Sequence, residues 1–285
     1  MKLATYSHNG KTGLGLVRGD AIVDISSIAP DMIALISDEA LLAKAKAVAA
    51  DAPSVPLASV TLRAPVLNPG KILAIGLNYR DHVEESNMAL PEHQVWFNKQ
   101  HNCINDPFGG INKPVVSDFL DYEGEMCFVI SKRCKHVPVE RAHEVIGGYF
   151  IGNDVTVRDW QLRTNTWQIG KSFDTHGPVG PWIVTPDELG DPHTLDIKTF
   201  VNGEERQSSN TKHLIFNCFD QVAHLTQAFT LDAGDIIFSG TPSGVGMALK
   251  PPSVLKVGDK VRVEIEKLGH IENHVVLEDG ATVIG

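Results

Sequence analysis

The first 30 or so residues alternate short β-prone runs with turn signals: "KLATY", "SHNGKTG", "LGLVR", "GD" and "AIVDI". That pattern predicts a small antiparallel meander. "DMIALISDEALLAKAKAVAA" spaces its apolar residues at helical intervals among many alanines and predicts a helix. Four prolines between residues 53 and 69 then mark a linker or an extended crossing segment. The expected organisation is a small N-terminal α/β domain over residues 1–65 and a larger domain over 66–285. In the larger part, "KILAIGLNY", "MCFVIS", "GGYFIGNDV", "GPWIV", "DIKTFVNGEER", "DIIFSG" and "KVRVEIEKLG" have strand length and composition. "HLIFNCFDQVAHLTQAFT" reads as a helix. Because few of these strands alternate with helices, a doubly wound parallel sheet is disfavoured. A β-rich α+β body with a mixed or antiparallel sheet is predicted.

Composition narrows the function classes. With 42% hydrophobic and 21% charged residues, the 285-residue chain has the balance of a soluble globular protein. Its net charge of −10 argues against nucleic acid or an anionic membrane as partner, since both demand a basic face. No run approaches the ~18 uninterrupted apolar residues of a membrane span. The first residues carry no apolar signal segment, so a cytoplasmic protein is expected. Cys103, Cys127, Cys134 and Cys218 form no CxxC pair and read as reduced thiols.

The chemistry starts with "DYEGEM". Glu123 and Glu125 stand two apart beside the β-prone "CFVIS", and on a strand such residues share a face. They form either a solvated edge or a hard-cation site suited to Mg²⁺, Mn²⁺ or Ca²⁺. Asp154, at the end of "GGYFIGNDV", offers a third carboxylate; otherwise it caps the segment that follows. Clustered like charges predict that losing Glu123 relieves repulsion in the metal-free protein. In "GLNYRDHVEES", His82 and Glu85 are three apart, on one face of a helical turn, where a carboxylate can make imidazole a general base. An ordinary surface turn is the alternative, and the glycine and asparagine upstream suggest a hinged lid. "GKS" is no phosphate loop, because Asn165 stands where that motif needs glycine. Lys171 within it is either a lysine placed to approach a substrate or a surface residue. In "SGTPSGVG", residues 239 to 246, backbone amides and the Thr241 hydroxyl can hold a carboxylate, or the loop is a plain hairpin.

Six segments in order, "NYRDHVEES", "DYEGEM", "GNDVTVRDWQ", "GKSFDTHGPVGP", "VNGEERQSSNT" and "LDAGDIIFSGTPSGVGMALKPPSVLKVGD", resemble the fumarylacetoacetate hydrolase superfamily over about residues 70 to 270. The resemblance implies a mixed-sheet β-roll, a homodimer, and Mg²⁺ or Mn²⁺ held by Glu123, Glu125 and Asp154. It implies a water-activating dyad on His82 and Glu85, a substrate-contacting Lys171, and further substrate contacts from Asn78, Tyr79, Gln161, Gly240 and Thr241. The implied reaction is hydrolysis of the C–C bond of a 2,4-dioxo acid, such as fumarylpyruvate or maleylpyruvate, to pyruvate and a carboxylic acid. Oxaloacetate decarboxylation and isomerisation or tautomerisation of a 2-oxo dioate are alternatives, because all need the same enolate. A non-enzymatic cation-binding protein is a third. The chain departs from the family pattern in "WFNKQHNCINDPFGGINKP". The resemblance puts this stretch, with Trp96 and Phe108, along the distal half of the pocket.

Overall fold

"GEMCFVI" is apolar without interruption because the strand it forms, Gly124–Ile130, is buried on both faces. Met126, Phe128 and Ile130 point into one core with Ile197, Val263 and Ile271. Cys127 and Val129 point the other way, into a second core with Leu3, Met32 and Phe150. In the computed structural model, which describes residues 1–48, 50–85 and 89–285, this strand lies at the centre of a twelve-stranded sheet. Its antiparallel neighbours are Ile146–Asn153 and Ile236–Phe238. The latter pairs in parallel with Ile72–Gly76, whose antiparallel neighbour Val95–Lys99 ends the main path of the sheet.

A five-stranded sheet covers one face, ordered Glu204–Asn210, Asp196–Val201, Lys260–Ile265, Gly269–Leu277 and Ile111–Lys113. Mixed pairing and few helices make the protein a β-rich α+β fold. The strand Lys2–His8 pairs with Gly177–Val184, so the N-terminal meander prolongs the large sheet. The 65/66 boundary falls between the strands Thr61–Leu62 and Ile72–Gly76.

Two helix expectations have different outcomes. The segment after residue 30 forms two short helices, Met32–Ser37 and Glu39–Lys46. Asp38 divides them, because its carboxylate accepts from the Ala40 and Leu41 amides and starts a new helix. The later helix, Cys218–Ala228, starts at a capping box in which Asn217 and Asp220 bond reciprocally. Its buried face carries Val222 and Leu225. Among the described residues, no helix is long and apolar enough to cross a membrane.

Candidate active site

Sheet register brings the three acids together. Gly124 pairs with Asn153 and Glu125 with Gly152, and the Asp154 amide donates to the Glu123 carbonyl at 2.8 Å. Glu123 and Asp154 therefore meet at the end of the ladder, with Glu125 one step inward on the same face. One oxygen from each lies within 4.8 Å of the others, and all three residues are buried. Gly152, opposite Glu125, lets Cys127 and Phe238 pack directly on the strand; a Cβ there would lie 2.5 Å from the Cys127 sulfur.

Three cations surround the acids. Lys171 Nζ donates to Glu123 Oε2 at 2.7 Å and to Asp154 Oδ2 at 2.8 Å. Lys99 Nζ donates to Asp154 Oδ1 at 2.6 Å and to the Lys171 carbonyl. Arg158 pairs with Glu123 through Nη1 at 2.7 Å and with Asp121 through Nε at 2.8 Å. Lys171 reaches this position because Gly170 lets the chain press against the helix Arg158–Gln161; a Cβ on Gly170 would lie 2.2 Å from the Gln161 nitrogen.

These partners divide the charge unequally. Burial disfavours a charged Glu123, but Lys171 and Arg158 outweigh it and bring the pKa down to about 2. Glu125 has no cationic hydrogen-bond partner among the described residues and accepts only from the Gly240 amide, at 2.6 Å. Burial, then Asp154 and Glu123, hold its carboxyl well above the usual range. A buried set of hard oxygen donors, one of them a carboxyl without a cationic partner among the described residues, fits a hard divalent cation.

A cavity of about 250 Å³ opens beside the acids, with Glu123, Arg158, Lys171, His82 and Thr241 in its wall. His82 sits on the helix Arg80–Glu85, its Nδ1 3.5 Å from Glu85 Oε2. The two groups are close but not hydrogen-bonded, since Nδ1 is buried without a partner. Glu85 instead accepts the Gly244 amide with both oxygens, at 3.0 and 3.1 Å, tying the helix to the glycine-rich loop. Of the expected lid, "GLNYRDHVEES", residue 86 lies outside the described residues.

Among the expected substrate contacts, Gln161 and Thr241 line the cavity. Thr241 Oγ1 donates to the Gly124 carbonyl at 3.0 Å and accepts from Gln207 at 2.8 Å; Gln161 accepts from Arg158 at 3.1 Å. The Gly240 amide is engaged by Glu125. Asn78 is fully buried, with its side chain donating to the Phe216 and Ser239 carbonyls and accepting from the Phe216 amide. Tyr79 is also fully buried, and its hydroxyl has no hydrogen-bond partner.

Trp96 and Phe108 do not line this cavity. Alternation along Val95–Lys99 sends Phe97 and Lys99 to the acids' side of the sheet and Trp96 to the other, against the core of Met126, Phe128 and Ile130. Phe108 stands edge-on to His270 in a separate cavity that also includes Trp182. The apolar wall comes instead from Leu77, Phe97, Leu162, Trp167, Val245 and Met247. Sequence reasoning missed Arg158, Lys99 and Trp167. The strand Val95–Lys99 was not among those expected, and the alternation of Phe97 with Lys99 along it was the usable signal for Lys99.

Residues 71–276 match the fumarylacetoacetate (FAA) hydrolase C-terminal family. A mitochondrial oxaloacetate tautomerase of Rattus norvegicus is 42% identical over 280 residues, spanning 96% of this chain and 90% of its own length. A maleylpyruvate hydrolase from Sphingobium sp. SYK-6, solved with manganese(II) and pyruvate, superposes with a TM-score of 0.85 at 33% identity, covering 98% of this chain and 100% of that one. A 5-carboxymethyl-2-hydroxymuconate delta-isomerase from Mycobacterium smegmatis superposes with a TM-score of 0.80 at 35% identity, covering 98% of this chain and 100% of that one. A relative matched over almost its whole length, a family match over most of the chain and the shared fold agree: this chain belongs to the fumarylacetoacetate hydrolase family.

Proposed function

We propose that the protein is a metal-dependent enzyme that acts on small 2-oxo acids through their enol form, interconverting the keto and enol tautomers of an oxaloacetate-type dicarboxylate. The observation that carries this reading is the meeting of His82, Lys171 and Arg158 around one small cavity beside the buried acids. The full-length likeness to an oxaloacetate tautomerase supports it. Glu123, Glu125 and Asp154 would hold Mg²⁺ or Mn²⁺, with Ca²⁺ a weaker candidate. A bound divalent ion supplies Lewis acidity toward the substrate's 2-oxo group.

The chain's own residues then divide the work. His82 takes a proton from C3, and the C–H electron pair moves toward the C2 oxygen. Lys171 and Arg158 stabilise the negative charge developing on that oxygen in a site withdrawn from water. Gln161 and Thr241 orient the substrate. Returning the proton to oxygen gives the enol, and the reverse sequence gives the ketone.

C–C hydrolysis of a 2,4-dioxo acid is the second reading, favoured by the 3.5 Å approach of Glu85 to His82. In that reaction His82, oriented by Glu85, deprotonates water, which attacks C4. The C3–C4 bond breaks, its electron pair forms the enolate of pyruvate, and C4 leaves as a carboxylic acid. We also propose a homodimer in a reducing compartment, the cytoplasm, where the four free cysteines stay reduced.

The test is to supply Mg²⁺ and follow three signals: enol absorbance of oxaloacetate, CO₂ release, and acid release from maleylpyruvate and acetylpyruvate. Rapid tautomer exchange without CO₂ supports the first reading. Dominant acid release replaces it with the second, and CO₂ release with a decarboxylase. In the supported case His82→Ala should slow exchange by roughly 10²–10⁴-fold. An unchanged rate overturns the base assignment.

A further inference from the structure

We propose that Trp167 is a specificity-determining residue that limits the size of the group a substrate carries beyond its reacting carbons. The inference rests on the 2-oxo acid reading of the cavity. Its first support is backbone conformation. Trp167 has φ of +58° and Leu77 has φ of +55°, a region that large L-residues occupy at a cost. Among the described residues, the other non-glycine residues in this region are Asn9, His136, Thr175, Asn202 and Lys267, so of these Trp167 and Leu77 alone are large and apolar. Both line the cavity. Strain of this kind is retained where the side chain's position matters.

The second support is the clamp around the indole. A Cβ on Gly76, at the end of the strand Ile72–Gly76, would lie 2.5 Å from Trp167 Cζ3, so the ring rests directly on that glycine. The ring also meets Phe97 edge-on, with centroids 5.8 Å apart and planes at 66°. A ring held by glycine, a phenylalanine edge and a left-handed backbone cannot swing aside to admit a longer chain.

The third support is charge distribution. The ionised groups of the lining belong to one cluster, Arg158–Glu123–Lys171. The wall that Trp167 shares with Leu77, Phe97, Leu162 and Met247 offers a distal substituent only apolar contact. Such a wall selects by volume. A close-packed indole across a cavity of about 250 Å³ favours short, unbranched groups.

The test uses Mg²⁺-loaded full-length protein and a ladder of 2-oxo acids, namely pyruvate, 2-oxobutanoate and 2-oxohexanoate, with Kd measured by calorimetry. In the native protein 2-oxohexanoate should bind at least tenfold more weakly than pyruvate. Trp167→Gly removes the ring and suits the left-handed backbone, and it should erase that ratio. Trp167→Phe should reduce the ratio part way. Gly76→Ala, which pushes the indole into the cavity, should widen it; these two variants carry the test if Trp167→Gly does not fold. The same ratio in all variants, or no binding of the ladder by any of them, overturns the proposal. Oxaloacetate turnover with an unresponsive ladder would refute the role of Trp167 and leave the 2-oxo acid reading standing. A responsive ladder without turnover would support the role of Trp167 and refute the reaction.

Discussion

Glu123 and Glu125 are chemically identical, two residues apart and both buried, yet they sit in opposite electrostatic situations. Glu123 is salt-bridged to Lys171 and Arg158, while Glu125 has only a backbone amide. This pairing argues against the simple expectation that removing Glu123 relieves repulsion. Glu123→Gln should destabilise the metal-free protein by about 1.5–3 kcal/mol, because it takes one charged partner from each of two buried cations and leaves Lys171 to Asp154 and Arg158 to Asp121. Glu125→Gln should leave apo stability unchanged or raised, since it removes a carboxyl already pushed toward its neutral form. Both should lose Mg²⁺ binding. Chemical denaturation and calorimetry of the two variants check this, and equal apo stabilities would contradict it. His176 makes a separate prediction. Burial lowers its imidazole pKa to about 3, against the hydrogen bond from its Nε2 to the Asn112 carbonyl. As pH falls below 6.5, the unfolded chain takes up this proton before the native one does. The stability contribution is whole above pH 6.5 and is lost at about 1.4 kcal/mol per pH unit down toward pH 3. Between pH 6.5 and 5, His176→Asn should remove about 2 kcal/mol of the acid-side decline. An unaltered stability–pH slope would show that His176 is not the group responsible.

Element by element, what could be read from the sequence depended on whether one strand carried the pattern. The acids were legible because the period of two puts Glu123 and Glu125 on one face, and the same apolar logic singled out Asp154. What the alternation does not fix is which face of an edge strand meets the site. Trp96 looked like a pocket residue, and it is Phe97 that lines the cavity. The clamp of Trp167 on Gly76 joins residues ninety-one apart in sequence, by 167 − 76, and no local pattern records it. The same holds for the cation pairing, which depends on Gly170 admitting a close contact with Gln161. Asn78 shows how a motif residue can serve the elements themselves. Its amide fastens the turn after Ile72–Gly76 to the start of Cys218–Ala228 and the end of Ile236–Phe238 through bonds of 2.9, 2.7 and 2.9 Å. Asn78→Ala should cost about 2–3 kcal/mol through buried groups left unpaired. Melting should shift clearly while KM changes little. A raised KM at unchanged Tm would restore the substrate-contact role expected from the family.

For the whole molecule, the surface beside the cavity bears on assembly. Val115, Val116, Phe119, Leu162 and Ile169 are 57, 55, 46, 70 and 55% exposed. Scattered exposed apolar residues are ordinary. These lie on two stapled segments: the Arg158 amide donates to the Phe119 carbonyl at 2.9 Å, and Ser117 Oγ donates to Asp159 at 2.5 Å. Exposed apolar residues on two segments tied together are what a covering partner would bury. A second copy of the chain is the occupant proposed above on family grounds. Leu162 links that face to catalysis, because it also lines the cavity. Sedimentation should therefore give a mass near twice the 31.0 kDa chain at micromolar concentration. Val116→Glu, away from the cavity lining, should shift the protein toward monomer by burying a charge without a partner. If the interface holds Leu162 in place, activity per chain should fall together with the dimer fraction and recover at high protein concentration. A native protein sedimenting as monomer would remove the proposal. A native dimer that Val116→Glu leaves intact would place the contact on another face.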